Sequence, residues 1–367
     1  MGDASMREAK HILVTGGSGF IGTNFILRAL EVTNWRILNL DALTYAGNAG
    51  NFKALPHEHE GKYGFVHGDI RDEALLDRLF EEEALDGVIH FAAESHVDRS
   101  ILGPTAFLET NVIGTFRLLE AALRYWRKRG GPETFRFLHI STDEVYGSLG
   151  AEGCFTEKTP YDPSSPYSAS KAASDHFVKA YHRTYGLPTI ITNCSNNFGP
   201  FQFPEKMIPL MIMNILEEKP LPVYGDGKHV RDWLYVVDHC DALIRVFEQG
   251  TQGQTYNIGG GAEQENIQVV GLLCDIMDKR LGRSGKDCGR RLINYVSDRP
   301  GHDRRYSIDW GKIERELGWE PKYRFEEALG LTVDWYLTHQ EWVDSVRTGE
   351  YRKWIDTNYV GRNRIGS

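Results

Sequence analysis

The sequence has few cysteines and no paired cysteine motif. Its five cysteines are scattered over 367 residues, and no two of them form a CxxC pair. This spacing argues against structural disulfides and against a zinc site, and it favours reduced thiols. We therefore expect no metal and a cytoplasmic location.

The chain also lacks long hydrophobic runs and an excess of positive charge. Its longest apolar stretch, 207–216, is interrupted by Pro209 and Asn214 and is too short to cross a bilayer of roughly 30 Å. The opening sequence MGDASMREAK has no signal-peptide pattern. With 42 basic and 51 acidic residues the formal charge is -9, which disfavours binding to nucleic acid polymers and membranes. Nine basic and three acidic residues between 279 and 305 suit a small anionic ligand.

The patterns that are present predict an α/β protein. Hydrophobic residues make up 41% and charged residues 25% of the chain, as in a globular domain with a sizeable core. Apolar β-rich runs alternate with amphipathic segments, which predicts parallel strands joined by crossover helices. The predicted strands are 11–15, 36–41, 65–69, 87–92, 135–141 and 188–193. The predicted helices are 20–31, 72–83, 105–129 and 167–185.

The expected architecture is a Rossmann-type doubly wound parallel sheet with a smaller, mixed α/β C-terminal substrate lobe. The alternation breaks after Asn196, where Pro, Gly and aromatic residues accumulate, and it returns before residue 258. The expected divisions are an N-terminal extension 1–10, a cofactor-binding domain 11–198 that 230–258 rejoins, a substrate lobe of 199–229 and 259–345, and a tail 346–367.

A glycine-rich loop follows the first predicted strand. Gly16, Gly19 and Gly22 have GxxGxxG spacing directly before a predicted helix, where free amides and the helix dipole can hold a pyrophosphate. Asp41 ends the second strand, 19 residues after Gly22. A carboxylate at this place accepts a hydrogen bond from a ribose 2′-hydroxyl and repels a 2′-phosphate, so the pattern predicts NAD rather than NADP.

Two segments further along carry reactive side chains. The strand FRFLHIS is followed by Thr142-Asp143-Glu144, and ligands of open α/β sheets bind beyond such carboxyl ends. Tyr167 and Lys171 are four residues apart and share one face of a predicted helix. A neighbouring ammonium and a cationic nicotinamide favour the phenolate, so Tyr167 can accept a hydroxyl proton. Capping a helix, or pairing with Arg99, is the alternative role for the two carboxylates.

Together these residues resemble the extended short-chain dehydrogenase/reductase family. Within it, five segments are similar to those of dTDP-glucose 4,6-dehydratases: AESHVDRS (93–100), STDEVYG (141–147), SPYSASK (165–171), NNFGP (196–200) and DRPGHD (298–303). The resemblance covers roughly residues 11 to 340. Epimerases of the same family typically lack the acidic pair at 143 and 144.

The resemblance implies a catalytic cycle without net redox change. Tyr167 takes the proton of the sugar O4 while NAD takes a hydride from C4, and Thr142 holds that oxygen. The ketone acidifies the C5 proton, so Glu144 can act as base. Asp143 is then the acid for the departing C6 hydroxyl, and the hydride returns to C6. One carboxyl must be protonated while the other is ionised, and NAD is expected to stay tightly bound and to be regenerated each cycle.

The resemblance also assigns binding residues. Those implied for NAD are Gly16, Gly19, Phe20, Ile21, Gly22, Asp41, Ala42, Leu43, Thr44, Asp69, Ile70, Phe91, Ala92, Ala93, Ser95, Thr110, Tyr167, Lys171 and Asn197. Those implied for the substrate, dTDP-glucose, are Ser95, His96, Thr142, Asn196, Lys206, Met207, Pro222, Val223, Tyr224, Arg231, Asn266, Asp298, Arg299 and His302. Asp69 could instead only cap the next helix, and Ala42 stands where many relatives have Lys. His96 and His302 have no second ligand at metal spacing and are interpreted as hydrogen-bonding groups.

Several alternatives remain open at this stage. The chain could be another NDP-hexose 4,6-dehydratase that uses a UDP- or GDP-sugar, a 4-epimerase, or a redox-silent NAD-binding regulatory protein. The family resemblance also implies a homodimer formed by the helix 105–129 and the YxxxK helix. The apolar stripe Phe116, Leu119, Ala122 and Leu123 would lie in that interface, unless it faces the sheet.

Overall fold

The computed structural model describes residues 9–59 and 61–347. Most of the expected N-terminal extension 1–10 and of the tail 346–367 therefore lies outside the described residues. Among the described helices, none combines the length and the apolar character that a membrane span requires. All five cysteines are free.

A seven-stranded sheet, parallel throughout, forms the larger half of the fold. Its strands are β1 (His11–Thr15), β2 (Arg36–Asp41), β3 (Tyr63–His67), β4 (Gly87–His90), β5 (Arg136–Thr142), β6 (Thr189–Cys194) and β10 (Thr255–Ile258). Their order is β10-β6-β5-β4-β1-β2-β3, which confirms the predicted doubly wound sheet. Ligands of such a sheet bind at the carboxyl ends, near the point where the strand order reverses at β1 and β4.

Helices cover both faces of this sheet. The α-helices within the described residues are α1 (Phe20–Val32), α2 (Glu73–Glu82), α3 (Val97–Leu102), α4 (Thr105–Phe107), α5 (Thr115–Lys128), α6 (Pro166–Tyr185), α7 (Met207–Leu216), α8 (Val236–Gln249), α9 (Asn266–Leu281), α10 (Gly311–Leu317), α11 (Phe325–Thr338) and α12 (Gln340–Val346). One core cluster joins α1, α8 and α10 to the sheet, and another joins α2, α5 and α6 to it. The sheet is therefore buried on both faces, as its continuous apolar strands require.

Three expected elements differ from the structure. Strands β3 and β4 end at residues 67 and 90, before the predicted ends at 69 and 92. The single helix predicted for 105–129 is instead the short helix α4, a π-helical segment Leu108–Gly114 and then α5. A π-helical segment carries no separate signal in the hydrophobic pattern, because the apolar positions on both sides keep nearly the same spacing.

The smaller half contains two short sheets. One joins β7 (Asn196–Phe198), β9 (Val230–Tyr235) and β11 (Glu263–Glu265), and the other pairs β8 (Leu221–Tyr224) with β12 (Ile293–Val296). Helices α7, α9, α11 and α12 pack on them around a separate core cluster. Because β9 pairs with β7 and β11, the chain rejoins the large sheet only from α8 onward, later than the expected residue 230.

The apolar stripe on α5 packs inward. Leu119, Ala122 and Leu123 are buried in the core cluster that joins α2, α5 and α6 to the sheet. The stripe therefore faces the sheet, which was the alternative expectation, and does not form an intersubunit surface. Phe116 lies at the border, 6.0 Å between ring centroids from Phe177 of α6.

Candidate active site

Two adjoining cavities open at the carboxyl ends of the large sheet. The first, of about 410 Å³, runs from the glycine-rich loop to α6, and the second, of about 190 Å³, lies between that edge and the smaller half. Glu144, Asn196 and Lys206 belong to the walls of both. A long ligand could therefore lie in one cavity and present its reacting end to a second ligand in the other.

The glycine-rich loop forms a cradle that other side chains would fill. Gly16 has a φ of +72°, and a Cβ there would lie 2.5 Å from the Ala92 amide nitrogen. A Cβ on Gly22 would lie 2.4 Å from the Gly16 carbonyl oxygen. Helix α1 begins directly after Gly19, and no side chain caps it, so its first amides are free for an anion. The loop fits the pyrophosphate of a dinucleotide.

Asp41 lies at the end of β2 with its carboxylate held in place. Its oxygens accept hydrogen bonds from the Ser18 and Leu43 amides, each at 2.8 Å. Burial raises the pKa of Asp41, while these two amides act in the opposite direction. The backbone at Leu43 adopts a φ of 48°, which turns its amide toward Asp41 but leaves its side chain outside the cavity walls.

The outer end of the first cavity is lined by Asp69, Ile70 and Arg71. Asp69 pairs with Arg71 at 2.7 Å, and the helix that follows is capped by Asp72, which accepts from the Leu75 amide. Asp69 therefore does not cap the next helix, which was the alternative role expected for it. Arg71 was not anticipated, and its guanidinium makes this end of the cavity suitable for an adenine face or a ribose.

The acidic pair lies on a tight turn after β5. The 3-10 turn Asp143–Tyr146 begins at Thr142, whose hydroxyl accepts from the Glu144 amide at 3.3 Å. Asp143 is 2% exposed, and its Oδ2 has no hydrogen-bond partner within the described residues. The Arg99 guanidinium, the alternative partner expected for these carboxyls, pairs with Glu205 at 3.1 Å.

The two carboxyls differ in their electrostatic surroundings. Burial raises the pKa of Asp143 well above its ordinary value, and the neighbouring charges of Glu144 and Asp232 raise it further. Burial also raises the pKa of Glu144, but the cationic groups of Arg299, Lys206 and Arg231 act against that shift. The pKa of both carboxyls is raised, but the cations oppose the rise at Glu144, so Asp143 holds its proton more strongly and Glu144 is the more readily ionised of the two.

Tyr167 and Lys171 lie on the first turns of α6. The helix begins at Pro166 and is capped by Ser165, whose hydroxyl accepts from the Ser168 amide. Burial raises the pKa of Tyr167 well above its ordinary value, the Glu144 charge adds to this, and a hydrogen bond with Thr142 lowers it. Lys171 is 4% exposed and its Nζ donates to the Ile140 carbonyl at 2.8 Å. Tyr167 thus needs nearby cations before it can serve as a base.

Basic groups line the second cavity. Lys206 Nζ donates to the Ser95 carbonyl at 3.0 Å, and Arg299 pairs with the buried Asp98 at 3.2 Å. The Arg231 guanidinium lies 4.3 Å from the centre of the Tyr306 ring and donates to backbone carbonyls. These cations are fixed by neighbours yet face one small volume, which suits a diphosphate.

Nearly all predicted site residues line these cavities. In the first lie the predicted residues Gly16, Gly19, Phe20, Ile21, Gly22, Asp41, Ala42, Thr44, Asp69, Ile70, Phe91, Ala92, Ala93, Ser95, Thr110, Thr142, Asp143, Glu144, Tyr167, Lys171, Asn196, Asn197 and Lys206. In the second lie the predicted residues His96, Met207, Pro222, Val223, Tyr224, Arg231, Asn266, Arg299 and His302. Among the predicted positions, all of which are described, Leu43 and Asp298 do not contribute to the walls.

Asp298 instead joins two histidines. Its Oδ1 lies 2.6 Å from His302 Nδ1 and its Oδ2 lies 3.2 Å from His229 Nε2, and these ligand-type atoms are all within 4.8 Å of one another. The two imidazoles stack with centroids 3.7 Å apart and planes 13° apart. A metal bound by both nitrogens would have to lie in both ring planes, which nearly parallel stacked rings do not share. Burial, with the charges of Arg299 and Arg231, lowers the pKa of His302 to about 3, so the group acts as a hydrogen-bonded cluster.

Glu205 was missed by the sequence analysis although it precedes Lys206. It is 2% exposed and pairs with Arg99, whose guanidinium lies 3.8 Å from the centre of the Tyr45 ring. Tyr45, Glu94 and Glu205 also line the first cavity. For Glu205 the sequence offered one signal, its position directly before the predicted diphosphate-binding Lys206. For Tyr45 we find no signal in the sequence.

Comparison with known proteins assigns the chain to a family. Residues 13–332 match the family described as GDP-mannose 4,6 dehydratase. A dTDP-glucose 4,6-dehydratase of Xanthomonas campestris pv. campestris is 58% identical over 344 residues, which cover 93% of this chain and 97% of that protein. The chain belongs to the dTDP-glucose 4,6-dehydratase family.

Solved structures of dTDP-glucose 4,6-dehydratases have the same fold. The enzyme from Streptomyces venezuelae, crystallised with NAD and TYD bound, has a TM-score of 0.83 and 47% identity, covering 92% of this chain and 99% of that one. The enzyme from Bacillus anthracis, in complex with NAD, has a TM-score of 0.81 and 46% identity, with the same coverage. These relatives confirm the predicted fold and family, and the cradle at Gly16 and Gly22 agrees with the cofactor that both relatives contain.

Proposed function

We propose that the protein is an NAD-dependent hydro-lyase that converts dTDP-glucose to dTDP-4-keto-6-deoxyglucose. The observation that carries this proposal is the pair of carboxyls at the end of β5, of which Asp143 favours its protonated form and Glu144 is surrounded by cations. A reaction that only oxidises and reduces one carbon needs no such pair. Elimination of water needs an acid and a base at neighbouring carbons.

The first step requires removal of the proton on the sugar O4. Tyr167 lies in the wall of the first cavity, with Thr142 beside it as a hydrogen-bonding partner. Because burial and Glu144 oppose the phenolate, the positive charges of Lys171 and of the nicotinamide must favour it. Bound NAD supplies the acceptor for the hydrogen at C4 and the donor for C6. The residues that would hold it are those of the first cavity, from the glycine cradle to Asp41.

The elimination step uses the acidic pair. Once C4 is a ketone, Glu144 removes the C5 proton, which the carbonyl has made acidic. Asp143 donates its proton to the departing C6 hydroxyl, and its Oδ2, which lacks a partner within the described residues, is the atom available to do so. When C6 receives its hydride, Glu144 returns the proton that it removed to C5. Asp143 then regains a proton in exchange for the one that Tyr167 took from O4, so water is the only species released.

The second cavity is proposed to hold the nucleoside diphosphate. Lys206, Arg231 and Arg299 would pair with the diphosphate, and Pro222 to Tyr224 on β8 would contact the base. Lys206→Met should therefore raise KM, and it should also lower kcat because Lys206 helps to keep Glu144 ionised. Lys219→Met, at an exposed lysine that pairs with Glu217, is the matched control and should change neither constant.

The experiment that tests the function is incubation of the purified protein with dTDP-glucose and no added NAD. The expected result is a 4-keto-6-deoxy sugar, detected by its absorbance in alkali and by mass spectrometry as loss of water. Formation of the 4-epimer would refute the proposal. Side-by-side turnover of dTDP-, UDP- and GDP-glucose should show preference for the dTDP sugar, and faster turnover of another would refute that assignment.

We further propose a division of labour between two lobes, a cellular role and an oligomeric state. Residues 11–198 with 236–258 would serve the cofactor, and 199–235 with 259–345 the sugar nucleotide. The product would enter deoxysugar biosynthesis, including rhamnose synthesis, in the cytoplasm, where the free cysteines would stay reduced.

A homodimer is supported by the large apolar side chains exposed on the π-helical segment and α6, which are Leu108, Ile113, Phe177 and Tyr185.

A further inference from the structure

Behind Tyr167, helix α6 buries two oppositely charged side chains. Lys171 and Asp175 are one turn apart, and they are 4% and 0% exposed. The Lys171 Nζ donates to the Ile140 carbonyl at 2.8 Å, while Asp175 Oδ2 accepts from the Ser141 hydroxyl at 2.9 Å. Both side chains are therefore anchored to consecutive residues of β5, directly beneath the catalytic turn.

Asp175 is enclosed by polar groups that stabilise a carboxylate. The Tyr161 hydroxyl donates to Oδ2 at 2.8 Å, and His139 Nε2 lies 3.1 Å from Oδ1. Burial by itself raises the pKa of Asp175, but the contacts from His139 and Ser141 and the charge of Lys171 outweigh it, so the pKa is lowered. Asp175 is ionised although water does not reach it.

The other titratable groups around this pair are mostly neutral at pH 7. They come from β4, β5, β6, the turn and loop after β5, and α6, and they are His90, His139, Tyr146, Tyr161, Cys194, Tyr167 and Lys179. Burial lowers the pKa of both histidines, that of His139 to about 4. Burial raises the pKa of the tyrosines and of Cys194. Lys179, the remaining cation of the group, is half-buried over the Tyr161 ring at 4.7 Å.

We propose that Asp175 is a positioning residue whose buried carboxylate keeps Lys171 protonated and so supports proton transfer at Tyr167. A buried ammonium is strongly disfavoured without a counter-charge. Burial lowers the pKa of Lys171, and the Asp175 charge is the largest opposing influence. The inference rests on the proposed function for the role of Tyr167, but the coupling of Lys171 to Asp175 does not depend on it.

The kinetic test uses Asp175→Asn, which keeps the shape of the side chain and removes its charge. Lys171 should then lose its proton at lower pH, so the alkaline limb of the kcat/KM profile should move to lower pH. Turnover at pH 8 should fall about tenfold or more, while the acidic limb, to which loss of the Lys171 proton does not contribute, stays in place. Tyr161→Phe removes one donor but keeps the carboxylate, and its alkaline limb should match that of the parent protein. A loss that is uniform over pH, with an unmoved alkaline limb, would overturn the proposal.

The second test is a stability cycle that needs no activity. In the parent protein Asp175→Asn should lower Tm, because it removes the negative charge that offsets the burial of the Lys171 ammonium. In a Lys171→Met background the same change should raise Tm, because it removes a carboxylate that has lost its cation. Equal shifts in both backgrounds would refute the coupling. Absence of turnover in the parent protein would refute the proposed function instead, and the stability cycle would still report on the pair.

Discussion

Asp143→Asn separates oxidation from elimination with a minimal change of shape. The side chain is buried and its Oδ2 lacks a partner within the described residues, so an amide fits the same space. The amide can donate a hydrogen bond but cannot give up a proton to the leaving hydroxyl. General acid catalysis contributes about 10²- to 10⁴-fold, or roughly 3 to 5 kcal/mol of barrier, and elimination should slow by that factor.

The assay for Asp143→Asn is a single turnover followed at 340 nm. Because Tyr167 and Thr142 remain in place, oxidation at C4 should proceed and NADH should accumulate on the protein. Product formation, followed by alkaline absorbance, should lag behind it. Asp287→Asn is the control, since Asp287 is exposed and contributes to neither cavity wall. A variant that forms product within about threefold of the parent rate would refute the role of Asp143 as the acid.

The same variant should also be more stable at neutral pH. The folded-state pKa of Asp143 is raised by burial and by Glu144. Below the unfolded-state pKa, about 3.9, both states are protonated and the side chain has no pH-dependent effect. As the pH rises above that value the unfolded chain loses its proton first, so the parent protein loses stability. The Tm of Asp143→Asn should therefore exceed that of the parent at pH 7, and the difference should shrink toward pH 4. A lower Tm at pH 7 would contradict this argument.

Three further changes test the cofactor loop and the exposed apolar surface. Asp41→Asn removes a charge that is held by the Ser18 and Leu43 amides, so the preference for NAD over NADP in equilibrium binding should fall about tenfold or more; an unchanged ratio would contradict the role of Asp41. Gly22→Ala places a Cβ 2.4 Å from the Gly16 carbonyl oxygen, so the folded protein should lose about 1–3 kcal/mol of stability. Both Tm and the amount of co-purified NAD should therefore drop. Normal retention of NAD would contradict the role of Gly22 in the glycine-rich loop. Phe177→Asp should convert a dimer to monomers in light scattering, and an unchanged mass would place the interface elsewhere.

The central sheet was predictable because its signal is local. Strands β1, β2, β5 and β6 lie within one residue of the predicted limits at each end. Their limits are visible in the sequence because buried parallel strands are continuous apolar runs bounded by glycine and polar turn residues. The π-helical segment Leu108–Gly114 was not predictable, because it depends on an irregular backbone inside a regular pattern. The inward packing of the α5 stripe also depended on the position of α2, which the sequence does not encode locally.

The positions of the charged groups show which features of the site depend on the tertiary structure. The basic segment 279–305 suggested a local positive region, yet most of its arginines pair with acids on other elements, as Arg280 does with Asp334 and Arg304 with Asp226. From this segment Arg299 and His302 reach the second cavity, where Lys206 and Arg231 join them. The reactive residues themselves were predictable as types. The difference in surroundings between Asp143 and Glu144 was not, because it depends on the positions of Asp232, Arg231 and Arg299.

The most direct test of the account follows one hydrogen through the reaction. The protein should be given dTDP-glucose that carries deuterium at C4, without added NAD, and the product should be examined by mass spectrometry and NMR. If the cycle runs as proposed within one active site, the deuterium will be found at C6 of the 4-keto-6-deoxy sugar. Deuterium retained at C4 of an epimerised sugar, or lost from the product, would contradict the account.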